Sequence, residues 1–114
     1  MEFSLKSKVV LITGASRGIG QAAAIGLAQA GADIAIASRK LPDLEKVAVE
    51  IKKIGRKCLP VAAHVGKVEE INNLVKRVLE EFGKIDILVN NAATNPTLAS
   101  AIDIDDRAWD SIMN

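Results

Sequence analysis

Apolar and polar positions along the chain change period repeatedly. Val9-Val-Leu-Ile-Thr13 is an unbroken apolar, β-branched run, as in a strand covered on both faces in a parallel sheet. Asp33–Ser38, Cys58–Ala63 and Asp86–Val89 predict three more strands. Helix-period segments lie between them. Gln21–Ala30 is small and apolar, with Gly26 expected to allow close approach to a sheet. Pro42–Ile54 puts Leu44, Val47, Ala48, Ile51 and Ile54 on one stripe, and Pro42 suits a first turn. Val68–Phe82 does the same with Val68, Ile71, Val75, Val78 and Phe82. The charged faces of these two helices, including Lys52, Lys53, Lys76 and Arg77, read as solvated surface. Gly31, Gly55 and Gly83 each follow a helix, where a left-handed cap is expected. The order β-α-β-α-β-α-β predicts an α/β fold with a parallel sheet and right-handed crossovers. Asn90 to Ala101 reads as a loop, and Asp105 to Asn114 as the first turns of a fourth helix.

The first strand runs straight into Gly14-Ala-Ser-Arg-Gly18-Ile-Gly20. Read alone, this is either a simple tight turn or an anion site. A strand, a glycine turn and a helix start aim free backbone N–H groups and a positive helix end at one point, which suits a pyrophosphate. In open α/β sheets ligands bind off the carboxyl ends of strands. Four loops should therefore gather on one edge: the glycine turn, Ser38-Arg39, His64-Val65 and Asn90-Asn91-Ala92-Ala93. The second is the informative one. Folds that choose NAD usually place Asp or Glu about 20 residues past the glycines, to accept from the ribose 2′-OH. Here Ser38 offers no carboxylate to repel a 2′-phosphate, and Arg39 can fork onto one. Arg17 adds a cation in the glycine turn. Either arginine alone could equally be surface decoration; together at converging loops they favour NADP (NADPH) over NAD.

Composition narrows the partners. The chain has 114 residues and net charge +1, which fits one domain able to bury about two thirds of its unfolded surface. Interspersed charges leave no footprint for nucleic acid or an anionic membrane. Apolar stretches fall well short of the ~18 residues a bilayer span needs. Met-Glu-Phe-Ser-Leu-Lys lacks the layout of a secretory signal, so the cytoplasm is the expected compartment. Cys58, the single cysteine, reads as a small core residue rather than a reactive thiol. No residue is assigned as a metal ligand. The sequence contains no tyrosine.

Thr13-Gly14-x-x-x-Gly18-x-Gly20, Asn90-Asn91-Ala92-Ala93 after the fourth strand and the segment Trp109-Asp-Ser-Ile-Met together resemble the N-terminal half of the short-chain dehydrogenase/reductase superfamily. The match looks closest to soluble carbonyl/alcohol and oxoacyl-type reductases. The resemblance implies a Rossmann-like, doubly wound sheet ordered 3-2-1-4 and an oxidoreductase moving hydride between nicotinamide and a carbonyl or alcohol. It implies that Gly14, Ser16, Arg17, Gly18, Ile19 and Gly20 cradle the pyrophosphate and adenosine ribose. Ser38 and Arg39 would meet the 2′-phosphate. Asn90, with Ala92 in the same motif, would line the cofactor ribose, and Asn91 would brace the sheet. The family usually has Asp or Asn before Val at the third strand end; His64-Val65 departs from this and puts the adenine hydrogen bond in doubt. As the only histidine, His64 tempts a general-base reading, but the adenine side of the site favours a stacked or satisfied ring. Ala93 stands where the family more often has Gly.

The family's serine, tyrosine and lysine are not in this chain, so no residue here is expected to be catalytic. The relay asparagine would fall just past Asn114. Residues 1–114 read as an NADP-binding domain truncated before the catalytic half, in a full-length parent expected to be a tetramer or dimer of identical chains. The competing expectation is a non-catalytic nucleotide-binding module; a flavodoxin-like mononucleotide domain fits the Asn-Asn-Ala motif poorly. Alone, the chain is expected to be inactive and to aggregate, to self-associate through the fourth strand, or to need the missing half to fold.

Overall fold

The structure, a computed structural model, describes residues 4–16 and 18–91. Four parallel strands, β1 (Val9–Thr13), β2 (Asp33–Ser38), β3 (Cys58–Ala62) and β4 (Ile87–Asn90), form one sheet in the order β3-β2-β1-β4. Helices α1 (Gly18–Gln29), α2 (Leu41–Lys53) and α3 (Val68–Phe82) connect them. This is the α/β, Rossmann-like order that the sequence resemblance implies. β1 is central, pairing with β2 from Val9↔Asp33 to Thr13↔Ala37 and with β4 from Val10↔Ile87 to Thr13↔Asn90.

All five residues of β1 are buried because helices cover both faces of the sheet. The two-residue strand period divides the side chains between two cores. Val9 and Leu11 of β1 join Ala35 and Ala37 of β2 under α3. Val10, Ile12, Ile34 and Ile36 face α1 and α2. Volumes complement across each layer. On one face small Ala35 and Ala37 meet Ile71, Leu74, Val75 and Val78 of α3. On the other, large Ile34 and Ile36 meet Ala24 and Ala28 of α1 and Leu44, Val47, Ala48 and Ile51 of α2. Alternating sizes of this kind let both layers reach interior packing density.

The three helix-terminal glycines have φ of +108°, +95° and +80° at Gly31, Gly55 and Gly83, as expected of left-handed caps. Several boundaries differ from expectation. α1 begins at Gly18, not Gln21, because the last glycines of the motif already belong to its first turn. α2 starts one residue early at Leu41 and ends at Lys53, leaving Ile54 as its cap. β3 stops at Ala62. β4 runs from Ile87 to Asn90 because Asp86 is taken up elsewhere: its N–H donates to the Val9 carbonyl (2.9 Å), and its carboxylate accepts the Val9 N–H (2.8 Å). Gly26 does not approach the sheet; it is exposed, with open space where a Cβ would stand. Val68 and Ile54 lie at the wet ends of their stripes, and Leu74 is a buried member the stripe omitted. The expected fourth helix and the loop from Ala92 lie outside the described residues. Among the described residues, no helix is long and apolar enough to cross a membrane.

Candidate functional site

The carboxyl ends of β1, β2 and β3 open onto a cleft of about 400 Å³. Gly14 and Ser16 line it from the glycine turn, Ala37, Ser38, Arg39 and Lys40 from the end of β2, and Ala63, His64, Val65 and Gly66 from the end of β3. None of these lining residues is acidic.

The glycine turn is held from two sides. Towards β2, the N–H groups of Gly14 and Ala15 both donate to the Ala37 carbonyl, at 2.9 and 3.4 Å. Towards β4, the Asn91 side-chain amide donates to the Gly14 carbonyl at 3.3 Å. Thr13, fully buried, completes the link: its hydroxyl donates to Asn90 Oδ1 (3.0 Å) and accepts the Asn91 N–H (3.2 Å). The Thr-Gly and Asn-Asn motifs, 77 residues apart in sequence, thus form one hydrogen-bonded unit.

Gly18 opens α1 with φ +65° and no atom where its Cβ would stand. Ile19 is 79% exposed beside it. Gly20 is buried, and a Cβ there would drive into the Gly14 carbonyl. The first N–H groups of a helix have no intrahelical partner, and α1 has no acidic residue in its first turn to offset its dipole. The helix start therefore presents donors and positive potential at the glycine turn, a setting that suits phosphate.

At the end of β2, Ser38 turns inward on its own loop, its Oγ accepting the Lys40 N–H at 3.1 Å. Arg39 and Lys40 are exposed and leave two cations over this end of the cleft. Lys40 is a site residue the sequence reading passed over, although Arg39-Lys40 is a basic doublet in plain view. At the end of β3, the His64 N–H donates to Glu70 Oε1 at 2.7 Å, and its Nδ1 accepts the Gly66 N–H at 3.0 Å. The ring is half-buried and satisfied in part, not presented as a free base. Glu70 and Gly66 were also unanticipated; their roles depend on the turn geometry.

Of the sequence-predicted residues, Gly14, Ser16, Ser38, Arg39, His64 and Val65 come together in the cleft. Gly18, Ile19 and Gly20 stand at its α1 side. Asn90 is exposed, and its Oδ1 accepts from the Thr13 hydroxyl. Arg17 and Ala92 lie outside the described residues.

A second groove, of about 460 Å³, lies at the opposite end of β3, between Lys52, Arg56, Lys57, Cys58, Glu81 and Phe82. Cys58 is partly buried there, and desolvation pushes its thiol up to about 12, slightly opposed by Lys52. A thiol so raised stays protonated and unreactive at neutral pH.

The sequence pattern of the family described as short chain dehydrogenase matches residues 8–114. Dehydrogenase/reductase SDR family member 4 of Oryctolagus cuniculus is 38% identical over 110 residues, covering 96% of this chain and 42% of that protein. The crystal structure of a short-chain alcohol dehydrogenase of Sinorhizobium meliloti superposes with a TM-score of 0.77 at 31% identity, over 97% of this chain and 50% of that one. A 7α-hydroxysteroid dehydrogenase complexed with NADH and 7-oxo glycochenodeoxycholic acid gives 0.76 at 31% identity, over 78% of this chain and 35% of that one. The chain thus spans about two fifths of the length of the curated relative it matches.

Proposed function

The chain belongs to the short-chain dehydrogenase/reductase family, and from that premise we propose that it binds NADP(H) in the cleft at the carboxyl ends of β1–β3. It would serve as the dinucleotide-binding part of an oxidoreductase that moves hydride between nicotinamide and a carbonyl or alcohol. The observation that carries the cofactor choice is the acid-free end of β2, where Arg39 and Lys40 stand over the cleft and Ser38 replaces a carboxylate. A 2′-phosphate gains charge-assisted hydrogen bonds there, and no like charge opposes it. A structural relative is complexed with NADH, so in this reading the choice between the two cofactors falls to the loop after β2.

The residues present fit such a group. Gly14, Ser16, Gly18, Ile19 and Gly20, with Arg17, would hold the pyrophosphate and adenosine ribose. Ser38, Arg39 and Lys40 would hold the 2′-phosphate, Val65 and His64 would stand at the base, and Asn90 and Ala92 would meet the ribose nearer the nicotinamide. Asn91 keeps the Gly14 carbonyl in place and so fixes the turn that the phosphates rest on. When bound, the dinucleotide supplies or accepts a hydride. These 114 residues contain no tyrosine, so this segment is assigned cofactor binding and not proton donation. A cytoplasmic location and a parent of identical subunits, tetramer or dimer, go with the reading.

Equilibrium titration with NADPH and NADH tests it. NADPH is expected to bind tighter by about tenfold or more, roughly 1.4 kcal/mol. NADH binding as tightly or more tightly would overturn the cofactor choice, and binding of neither would overturn the dinucleotide reading.

A further inference from the structure

The turn from β3 into α3 supplies three of the residues that line the cleft, His64, Val65 and Gly66, yet it lies past the end of the strand. Just before it the chain is still tied to β2, the Ala63 N–H donating to the Ser38 carbonyl at 2.8 Å. Beyond that point the backbone is held by local partners. The His64 carbonyl accepts the Lys67 N–H and His64 Nδ1 accepts the Gly66 N–H, both at 3.0 Å. The ring fits because Gly66 has no side chain; a Cβ there would lie 2.7 Å from His64 Cε1. A further bond anchors the turn to the helix: the His64 N–H donates to Glu70 Oε1 at 2.7 Å.

That reach sets Glu70 apart from an ordinary helix-capping acid. Lys67 is the N-cap of α3, which makes Glu70 its third residue. An acid in this place commonly turns back to the N–H of the N-cap residue itself. Here the Lys67 N–H is taken by the His64 carbonyl, and the Glu70 carboxylate passes over it to the strand end. Lys67 brings no side-chain cap, although capping side chains are strongly preferred at that position. α3 thus starts without the usual cap, while an acid of its first turn is committed to the wall of the cleft. Lys67 Nζ stands 4.0 Å from the other carboxylate oxygen, Oε2. Together with the positive end of α3 it offsets the acid's charge, so the wall is fixed with little repulsion for an anionic ligand.

We propose that Glu70 is a positioning residue for dinucleotide binding: by holding the His64 N–H it sets the β3 wall of the cleft before the ligand arrives. The inference rests on the dinucleotide reading given above. A wall already in place in the free protein has no ordering cost to meet on binding, and affinity gains by that amount. The carboxylate acts through the backbone it holds, so what matters is an acceptor at Oε1 and not a charge. Glutamine keeps that acceptor; alanine removes it.

Titration of the two variants with NADPH and NADH reads this role. Glu70→Ala is expected to weaken both cofactors about tenfold and equally, because the loop after β2 that tells them apart is untouched. Glu70→Gln is expected to stay within about threefold of the wild type. Unchanged affinity in Glu70→Ala overturns the proposal, and so does a loss in Glu70→Gln as large as in Glu70→Ala. A role confined to the helix start would lower the Tm of Glu70→Ala and leave the affinity of the folded protein where it was. A second measurement needs no variant, so misfolding of either leaves the test standing. In the free wild-type protein the His64 amide is expected to exchange hydrogen at least about tenfold more slowly than an unstructured amide, with little further slowing when NADPH is added. An amide left unprotected until NADPH is added overturns the proposal, since the ligand and not Glu70 would then order the wall. Binding of neither cofactor by the wild type would instead sink the dinucleotide reading.

Discussion

The side-chain amide of Asn91 reaches the Gly14 carbonyl at 3.3 Å, and the space beside that bond is kept open by Gly20. A Cβ on Gly20 would stand 2.8 Å from Asn91 Nδ2 and still closer to the Gly14 carbonyl. The end of β4, the glycine turn and the first turn of α1 thus meet at a point with no room for a methyl group.

Gly20→Ala should therefore cost stability, about 1–3 kcal/mol for overpacking a tight site, read as a lowered Tm. Gly18→Val should act differently. Gly18 has open space around it but φ +65°, which a β-branched residue adopts only with strain. Dinucleotide affinity should be lost as the side chain fills the phosphate's space. Unchanged affinity in a folded Gly18→Val protein would contradict the proposed cradle.

Cofactor preference should move with the β2 loop. Ser38→Asp with Arg39→Ala removes a charge-assisted contact worth roughly 1.5–3 kcal/mol, about 10- to 150-fold in affinity, and adds a repelling carboxylate. Arg39→Ala alone should have a smaller effect, because Lys40 stays over the same end of the cleft. The ratio of NADPH to NADH dissociation constants is the readout. Both cations are exposed, so the preference should also shrink as salt rises.

Cys58 should behave as a buried thiol. Its value is raised from 9.0 to about 12 by desolvation, so in the folded state the proton is held more tightly than in the unfolded chain. That contribution is fully present below pH 9 and is lost as pH rises from 9 towards 12. Stability should therefore fall over this window, and Cys58→Ala should flatten the fall. Thiol-labelling reagents at pH 7 should react much faster with unfolded than with folded protein.

The 114-residue chain expressed alone should reduce no carbonyl substrate, since it has no tyrosine to act as proton donor. Among the described residues, β4 pairs with β1 only, and Ile87, Leu88 and Val89 carry no charge that would discourage strand addition. Self-association through that edge is expected in sizing chromatography. A monomeric species with measurable carbonyl reduction would refute both expectations.

The sequence by itself determined the elements and their order. Val9–Ile12 is apolar without interruption because both faces of β1 are covered, and the pattern alone reveals that. The Val68–Phe82 stripe marked its helix to the residue, since amphipathic spacing and Gly83 are local signals. The gathering of Gly14, Ser38, Arg39 and His64 was also legible, because parallel strands place their carboxyl ends on one edge. Tertiary structure decided what depends on distance between remote segments. Gly20 rather than Gly26 is the glycine of close approach, because contact is set by the helix's rotation against the Gly14 turn. Asn90 is bound to Thr13 through a bond spanning 77 residues. The donor and acceptor ends of His64 were likewise undetermined until Gly66 came within 3.0 Å of Nδ1. Periodicity encodes which face a residue occupies, but a hydrogen bond requires two groups to meet within a few tenths of an ångström, and only the packed chain fixes that.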